Sequence, residues 1–220
     1  MEEVSREVAE ALLNIGAVKI SIDPPFQWVS GIKSPVYCDN RMLISYPEVR
    51  DLIVKAFARI LSRKVRDGEM QDPDYIAGTA TAAIPWAAFL AYELKKPMVY
   101  IRPEKKQHGT GKQIEGDLKP GSKVLIMEDL ISTGGSSIKA AEAVKEEGKS
   151  EVLGVFAIVS WELAKSEENF KAAGIPLRTL TNFSELVGLA VEKGVIAGDN
   201  LDNIYKFNRD PQGWWGEFNG

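Results

Sequence analysis

Two adjacent carboxylates, Glu128 and Asp129, follow the apolar run Val124 to Met127 and precede a short stretch of small residues, Ser132-Thr133-Gly134-Gly135-Ser136. Paired acids beside such a stretch suit a sugar phosphate. Carboxylates accept hydrogen bonds from vicinal hydroxyls, and glycines let backbone N–H groups close on a phosphate at the positive end of a helix. Neither common phosphate-binding pattern accounts for the stretch. A Walker A loop fails because Lys106 stands where its first glycine belongs and Gln113 follows Gly111-Lys112. The dinucleotide pattern that begins at Gly109-Thr110-Gly111 has Ile114 in place of its third glycine.

These groups need elements to hold them. Residues 123–127 read as a strand and 136–147 as a helix, so the acids and the small residues fall in the turn between them. Upstream, Val4, Val8, Ala11, Leu12 and Ile15 recur at helical spacing before Gly16. Residues 17–46 are irregular, rich in Pro, Gly and aromatics. A second amphipathic helix follows Pro47, with Val49, Leu52, Ile53, Ala56, Phe57, Ile60 and Leu61 on one face. From residue 74 strands and helices alternate: strands at 75–77, 98–101, 123–127 and 152–159, helices at 84–94 and 136–147. A polar, glycine-containing loop spans about 103–120. Near-continuous apolar strands joined by helices predict an α/β fold with a mostly parallel sheet covered on both faces. Right-handed crossovers then place the ligand at the strand ends along one edge of that sheet. Helices are expected near 161–173 and 183–193, with an edge strand at 177–180. The tail from Asp210, with Trp214 and Trp215, shows neither a helix nor a strand pattern.

Composition narrows the class. At 220 residues, 45% apolar and 26% charged, the chain can bury a full core and is expected to be one domain. A net charge of −4 gives no support to nonspecific nucleic-acid binding. Cys38 is the only cysteine and His108 the only histidine. An intramolecular disulfide and a Cys/His metal cluster are therefore impossible, and any metal must be a hard cation held by oxygens. The acidic opening Met1-Glu2-Glu3 lacks the regions of a signal peptide, and the longest apolar stretch, Ala80 to Tyr92, is interrupted by Pro85. A soluble, cytoplasmic protein without membrane contact is expected.

The stretch 123–137 resembles the binding motif for 5-phosphoribosyl-1-diphosphate (PRPP) in type I phosphoribosyltransferases. Three further blocks resemble the orotate branch of that family. Residues 26–41, Phe26 through Arg41, are similar to its N-terminal signature. Residues 102–116, from Arg102-Pro103-Glu104-Lys105-Lys106 through Gly116, are similar to its mobile catalytic loop. Gly78-Thr79-Ala80-Thr81-Ala82-Ala83-Ile84-Pro85 resembles its pyrophosphate-side loop. Leu177 through Ser184 is also similar to a segment of that family. The resemblance implies the type I phosphoribosyltransferase fold: hood elements at about 1–46, an α/β core at about 47–181, and a C-terminal helical part and tail at 182–220.

The family's chemistry is transfer of phosphoribose from PRPP to orotate, with cationic character developing on the ribose. By resemblance, Glu128 and Asp129 bind the 2′ and 3′ hydroxyls, within a PRPP motif that also takes in Leu130 and Ile131. Ser132, Thr133, Gly134, Gly135 and Ser136 cradle the 5′-phosphate, while Arg102, Lys106 and His108 bind the pyrophosphate. Lys106 and Asp129 are the catalytic candidates. Ser132 and Tyr37 are assigned to orotate, and Arg41 is a candidate for its carboxylate. Mg²⁺ is implied as the cofactor, chelated mainly by pyrophosphate and ribose oxygens. A homodimer is implied too, with the 102–116 loop reaching into the partner's site.

The chain departs from better-known members, which carry lysines where it has Val29, Ala82 and Pro103. That loss shifts electrostatic demand to Lys106 and Lys105. Two other readings share part of the pattern. A phosphoribosyltransferase for a purine or uracil would leave the Phe26–Arg41 block unexplained. A PRPP-sensing regulator would need a DNA-binding element, and the N-terminal helix is acidic with no helix-turn-helix pair before residue 40.

Overall fold

The computed structural model describes residues 2–28, 31–104 and 112–219. Helix α1 (Glu2–Asn14) buries Val8 and Leu12 of the stripe its spacing predicts, with Ala9 beside them, while Val4, Ala11 and Ile15 are partly buried against the same core. Residues 17–46 are more ordered than their composition suggests. They form strands β1 (Val18–Ile20), β2 (Phe26–Gln27), β3 (Lys33–Ser34) and β4 (Val36–Cys38), then a 3₁₀ turn over Asn40–Ser45. β1 pairs with β4 and β2 with β3, both antiparallel. Strands this short carry too little pattern to be read from sequence, and pairing with distant partners creates them.

Helix α2 (Pro47–Arg66) starts with Pro47 in its first turn, where a missing N–H costs nothing, and ends with Arg63, Lys64 and Arg66 at the negative end of the helix dipole. Strand β5 (Tyr75–Thr79), helix α3 (Ile84–Leu94) and strand β6 (Met98–Ile101) follow. Next come the two-residue strand β7 (Ile114–Glu115), strand β8 (Lys123–Ile131), helix α4 (Gly135–Glu146) and strand β9 (Glu151–Ser160). Helix α5 (Ala164–Ala173), strand β10 (Leu177–Asn182) and helix α6 (Phe183–Glu192) complete the alternation. Helix α7 (Leu201–Arg209) follows, and the tail from Asp210, patternless as a sequence, holds helix α8 (Trp214–Asn219). Among the described residues no helix is long and apolar enough to cross a membrane.

The main sheet runs β10-β9-β8-β5-β6-β7, parallel except for β7 at the edge. Alternate residues of β8 feed two cores. Leu125 and Met127 face a cluster that includes Phe57, Trp86, Phe156 and Phe207, while Val124 and Ile126 face a second with Ala141, Val144 and Phe170. The chain leaves β5 for α3 on the first face and leaves β8 for α4 on the second. Because β5 and β8 are neighbours, their connections part between them and open a crevice at their carboxyl ends.

One boundary differs in a way that matters. β8 continues to Ile131 rather than stopping at Met127, because Glu128, Leu130 and Ile131 pair with Ala157, Val159 and Ser160 of β9. The acid pair is thus held in a strand and not in a turn.

Candidate active site

Glu128 is 5% exposed, and both of its oxygens are engaged. The Ser137 hydroxyl donates to Oε2 at 3.0 Å, and the Asp129 N–H donates to Oε1 at 3.2 Å. Burial, reinforced by the neighbouring Asp129, pushes the Glu128 carboxyl up to about 8. Burial also raises Asp129, while hydrogen bonds to it and the nearby Arg41 guanidinium pull it down. Both carboxyls of the pair are thus raised, Glu128 the more buried of the two. Two carboxylates this close and this dry cannot both ionise cheaply.

Beyond Ile131 the chain turns sharply into α4. Gly134 adopts φ 79° at the helix's N-cap, a left-handed conformation that favours glycine. A Cβ there would also come within 2.5 Å of the Phe170 ring. The turn is pinned from outside: Asn169 donates its amide to the Thr133 carbonyl at 2.9 Å, and the Trp161 N–H donates to the Ile131 carbonyl at 2.9 Å. The first N–H groups of α4 have no carbonyl within the helix to bond and carry its positive end.

The opposite wall is the β5–α3 connection, Thr79 to Ala82, which contains a cis Ala80–Thr81 peptide. Thr79 Oγ1 donates to the Met127 carbonyl at 3.3 Å and ties the two strand ends together. Gly78 permits α3 to pack close, since a Cβ there would meet the Ala83 carbonyl at 2.9 Å. Arg102, Pro103, Glu104 and Gln113 form the rim, with the Arg102 guanidinium 3.5 Å from Glu115. The open cleft between these walls has a volume of about 630 Å³, suited to a small-molecule ligand.

The structure gathers most of the residues singled out from sequence. Arg102, Glu128, Asp129, Leu130, Ser132, Thr133, Gly134, Gly135 and Ser136 line the cavity. Ile131 does not; it is buried, and its backbone serves the β9 pairing. Tyr37 does not line this cavity; it lies on β4, its ring centroid 5.7 Å from that of Phe26. Arg41 is paired with Asp39 at 2.6 Å. Lys106 and His108 lie outside the described residues. Ala82 and Pro103, both expected from the departures to lack charge near the ligand, do line the cavity. Sequence reasoning missed Ser137, whose hydroxyl holds Glu128, and Lys139, which lines the cavity one turn into α4. It also gave no role to Asn40, whose amide bonds to the Asp129 carbonyl at 2.7 Å. A hydroxyl and a cation in the first turn of a helix that meets an acid pair were the available signals.

The phosphoribosyl transferase domain model matches residues 45–185. The orotate phosphoribosyltransferase of Listeria monocytogenes is 44% identical over 211 residues, covering 96% of this chain and 98% of that one. The chain belongs to the orotate phosphoribosyltransferase family. Among solved structures, the orotate phosphoribosyltransferase of Aeropyrum pernix is 30% identical, with a TM-score of 0.70 over 87% of this chain and 99% of that one. The UMP synthase of Leishmania donovani aligns with a TM-score of 0.74 and 26% identity over 93% of this chain, which spans 42% of that longer one. The matched residues 45–185 take in both walls of the crevice.

Proposed function

We propose that this site transfers the 5-phosphoribosyl group of PRPP to orotate, giving orotidine 5′-monophosphate and pyrophosphate in pyrimidine biosynthesis. One observation carries the reading: a buried acid pair at the switch point of the sheet opens directly onto a glycine turn at a helix N-terminus. In the reaction the C1′–O bond to the diphosphate breaks with its electron pair. A nitrogen of orotate bonds to C1′ and loses its proton, while positive charge builds on the ribose.

Glu128 and Asp129 take the 2′ and 3′ hydroxyls, and the charge of Asp129 favours the cationic sugar. A charge fixed by strand and hydrogen bonds before the reaction needs little reorganisation during it. Ser132 to Ser136 take the 5′-phosphate through hydroxyls and backbone N–H groups, with Leu130 and Ile131 supplying the chain that leads into the turn. Arg102, Lys106 and His108 neutralise the departing pyrophosphate. Ser132 meets orotate. Tyr37 offers the base a flat wall, three residues from the Asn40 amide that is bonded to Asp129.

Mg²⁺ fits this donor set when it is held mainly by substrate oxygens. Among the described residues no group of three or more His, Cys, Asp or Glu side chains is placed to hold a metal, and the carboxylates of Glu128 and Asp129 face where the sugar hydroxyls would lie. Bound there, the ion would supply charge to the diphosphate. The shared core, from Val8 through Phe57 and Phe156 to Phe207 and Trp214, supports one domain for the whole chain. A cytoplasmic homodimer that shares the 102–116 loop across subunits completes the proposal.

The test is an absorbance assay of orotate consumption with PRPP and Mg²⁺, repeated without metal and with adenine, guanine or uracil as acceptor. Metal-dependent loss of orotate is expected. Turnover of another base in its place would overturn the acceptor assignment, and no turnover of any base would overturn the reaction.

A further inference from the structure

Glu147 stands just past the last residue of α4, at the far end from the glycine turn. Its carboxylate reaches across to the edge of the sheet. Both oxygens accept the Gln113 N–H at 3.0 Å, and Oε1 also accepts the Ile114 N–H at 3.0 Å. Gln113 is in turn tied to Arg102 twice. The Arg102 N–H donates to the Gln113 carbonyl at 3.0 Å, and the Gln113 side-chain amide donates to the Arg102 carbonyl at 2.7 Å.

This clamp sits where the fold most needs one. β7 is two residues long and among the described residues pairs only with β6, so without the carboxylate its other edge would present unpaired backbone N–H groups. So short a strand has little stability of its own. The carboxylate supplies a charge-assisted edge in place of another strand. The C-terminal end of α4 is also packed tightly on the same segment: a Cβ at Gly148 would come within 2.7 Å of Leu118 and 3.1 Å of Ile114.

We propose that Glu147 is a positioning residue that holds Arg102 at the cavity rim through Gln113. The helix whose first turn faces the phosphate cradle would then also set, from its other end, the cation that meets the pyrophosphate. The inference rests on the assignment of Arg102 to pyrophosphate made above. Glu147 itself touches no substrate, because its oxygens are engaged by backbone N–H groups.

The experiment measures, by calorimetry on the full chain, binding of Mg²⁺-pyrophosphate and of ribose 5-phosphate, which has no diphosphate. Wild type, Glu147→Ala, Glu147→Gln, Arg102→Ala and the double Arg102→Ala/Glu147→Ala variant are compared. Glu147→Ala should weaken pyrophosphate about tenfold, the scale of one lost charge-assisted hydrogen bond, and leave ribose 5-phosphate within about twofold. Glu147→Gln, which keeps one acceptor oxygen, should recover part of the loss, and it carries the test if the alanine variant fails to fold. In the Arg102→Ala background, Glu147→Ala should add little, because both act on the same contact. Unchanged pyrophosphate binding, equal weakening of both ligands, or additive losses in the double variant would each overturn the proposal. If Arg102→Ala alone left pyrophosphate binding intact, the assignment of Arg102 would be the part that failed.

Discussion

The side-chain amide of Asn40 donates to the backbone carbonyl of Asp129 at 2.7 Å, joining residues 89 positions apart. Asn40 is 2% exposed, and its Oδ1 accepts from the Cys38 thiol at 3.2 Å. One side chain thus locks the N-terminal hood to Asp129, the acid proposed to meet the sugar. Asn40→Ala leaves that carbonyl without this donor, a loss of about 1–3 kcal/mol in a buried setting. Thermal unfolding should shift down accordingly and kcat/KM for PRPP should fall. Asn40→Asp, which sets a second carboxylate beside Asp129, should do more damage than alanine. Wild-type values in both variants would make the contact incidental.

Glu128 predicts an unusual dependence of stability on pH. Its carboxyl is raised to about 8 in the folded chain and is ordinary when unfolded. Below about 4.5 it is neutral in both states and costs nothing. As pH rises through 4.5 and on through about 8, the unfolded chain gives up its proton first, and stability is lost across that window. Glu128→Gln removes the effect. The variant should match wild type near pH 4 and exceed it above pH 8 by roughly 3–5 kcal/mol. Its activity should nevertheless fall, and an inflection near the raised pKa in the kcat/KM profile should vanish. A constant stability gap from acid to alkaline pH would place the proton elsewhere.

Ala82 and Pro103 line the cavity without charge. On the proposed assignment, neutralising pyrophosphate then falls on Arg102 and on Lys106, which lies outside the described residues. Lys106→Ala should lower kcat by a few orders of magnitude, since removing one preorganised charge contact costs about 3–4 kcal/mol. The thermal midpoint should not move. Near-normal turnover would show that the loop assignment is wrong.

The C-terminal aromatics form a chain of edge contacts. Trp214 is 1% exposed and meets Phe207 at 5.6 Å, and Phe207 meets Trp28 of the hood at 5.6 Å. Trp214→Ala should therefore cost about 3–5 kcal/mol, as for other buried large rings. Limited proteolysis should then cut first within the hood or the tail. Trp214→Phe keeps a ring but loses the indole N–H that donates to the Asn203 carbonyl at 2.9 Å, and should cost less. An alanine variant with wild-type unfolding would mean the tail is not part of the core.

Much of this was legible along the chain because it is local. The helical stripe of α2, the near-continuous apolar strands, and the acid pair leading into Gly134 and Gly135 each follow from side chains a few positions apart. The parallel sheet, with a crevice at its strand ends, followed from the alternation of those elements. What the sequence could not state was pairing at a distance. Glu128 lies in a strand because β9 extends its ladder, and its carboxyl is raised because burial and the neighbouring Asp129 disfavour its charge, against the pull of the Ser137 hydroxyl. Asn40 matters only because the hood folds back on Asp129, and the tail is helical only because Trp214 finds Phe207. Hydrogen bonds and apolar contacts between remote residues leave no periodic mark, so tertiary structure alone decides which polar group faces which, and how far each pKa moves.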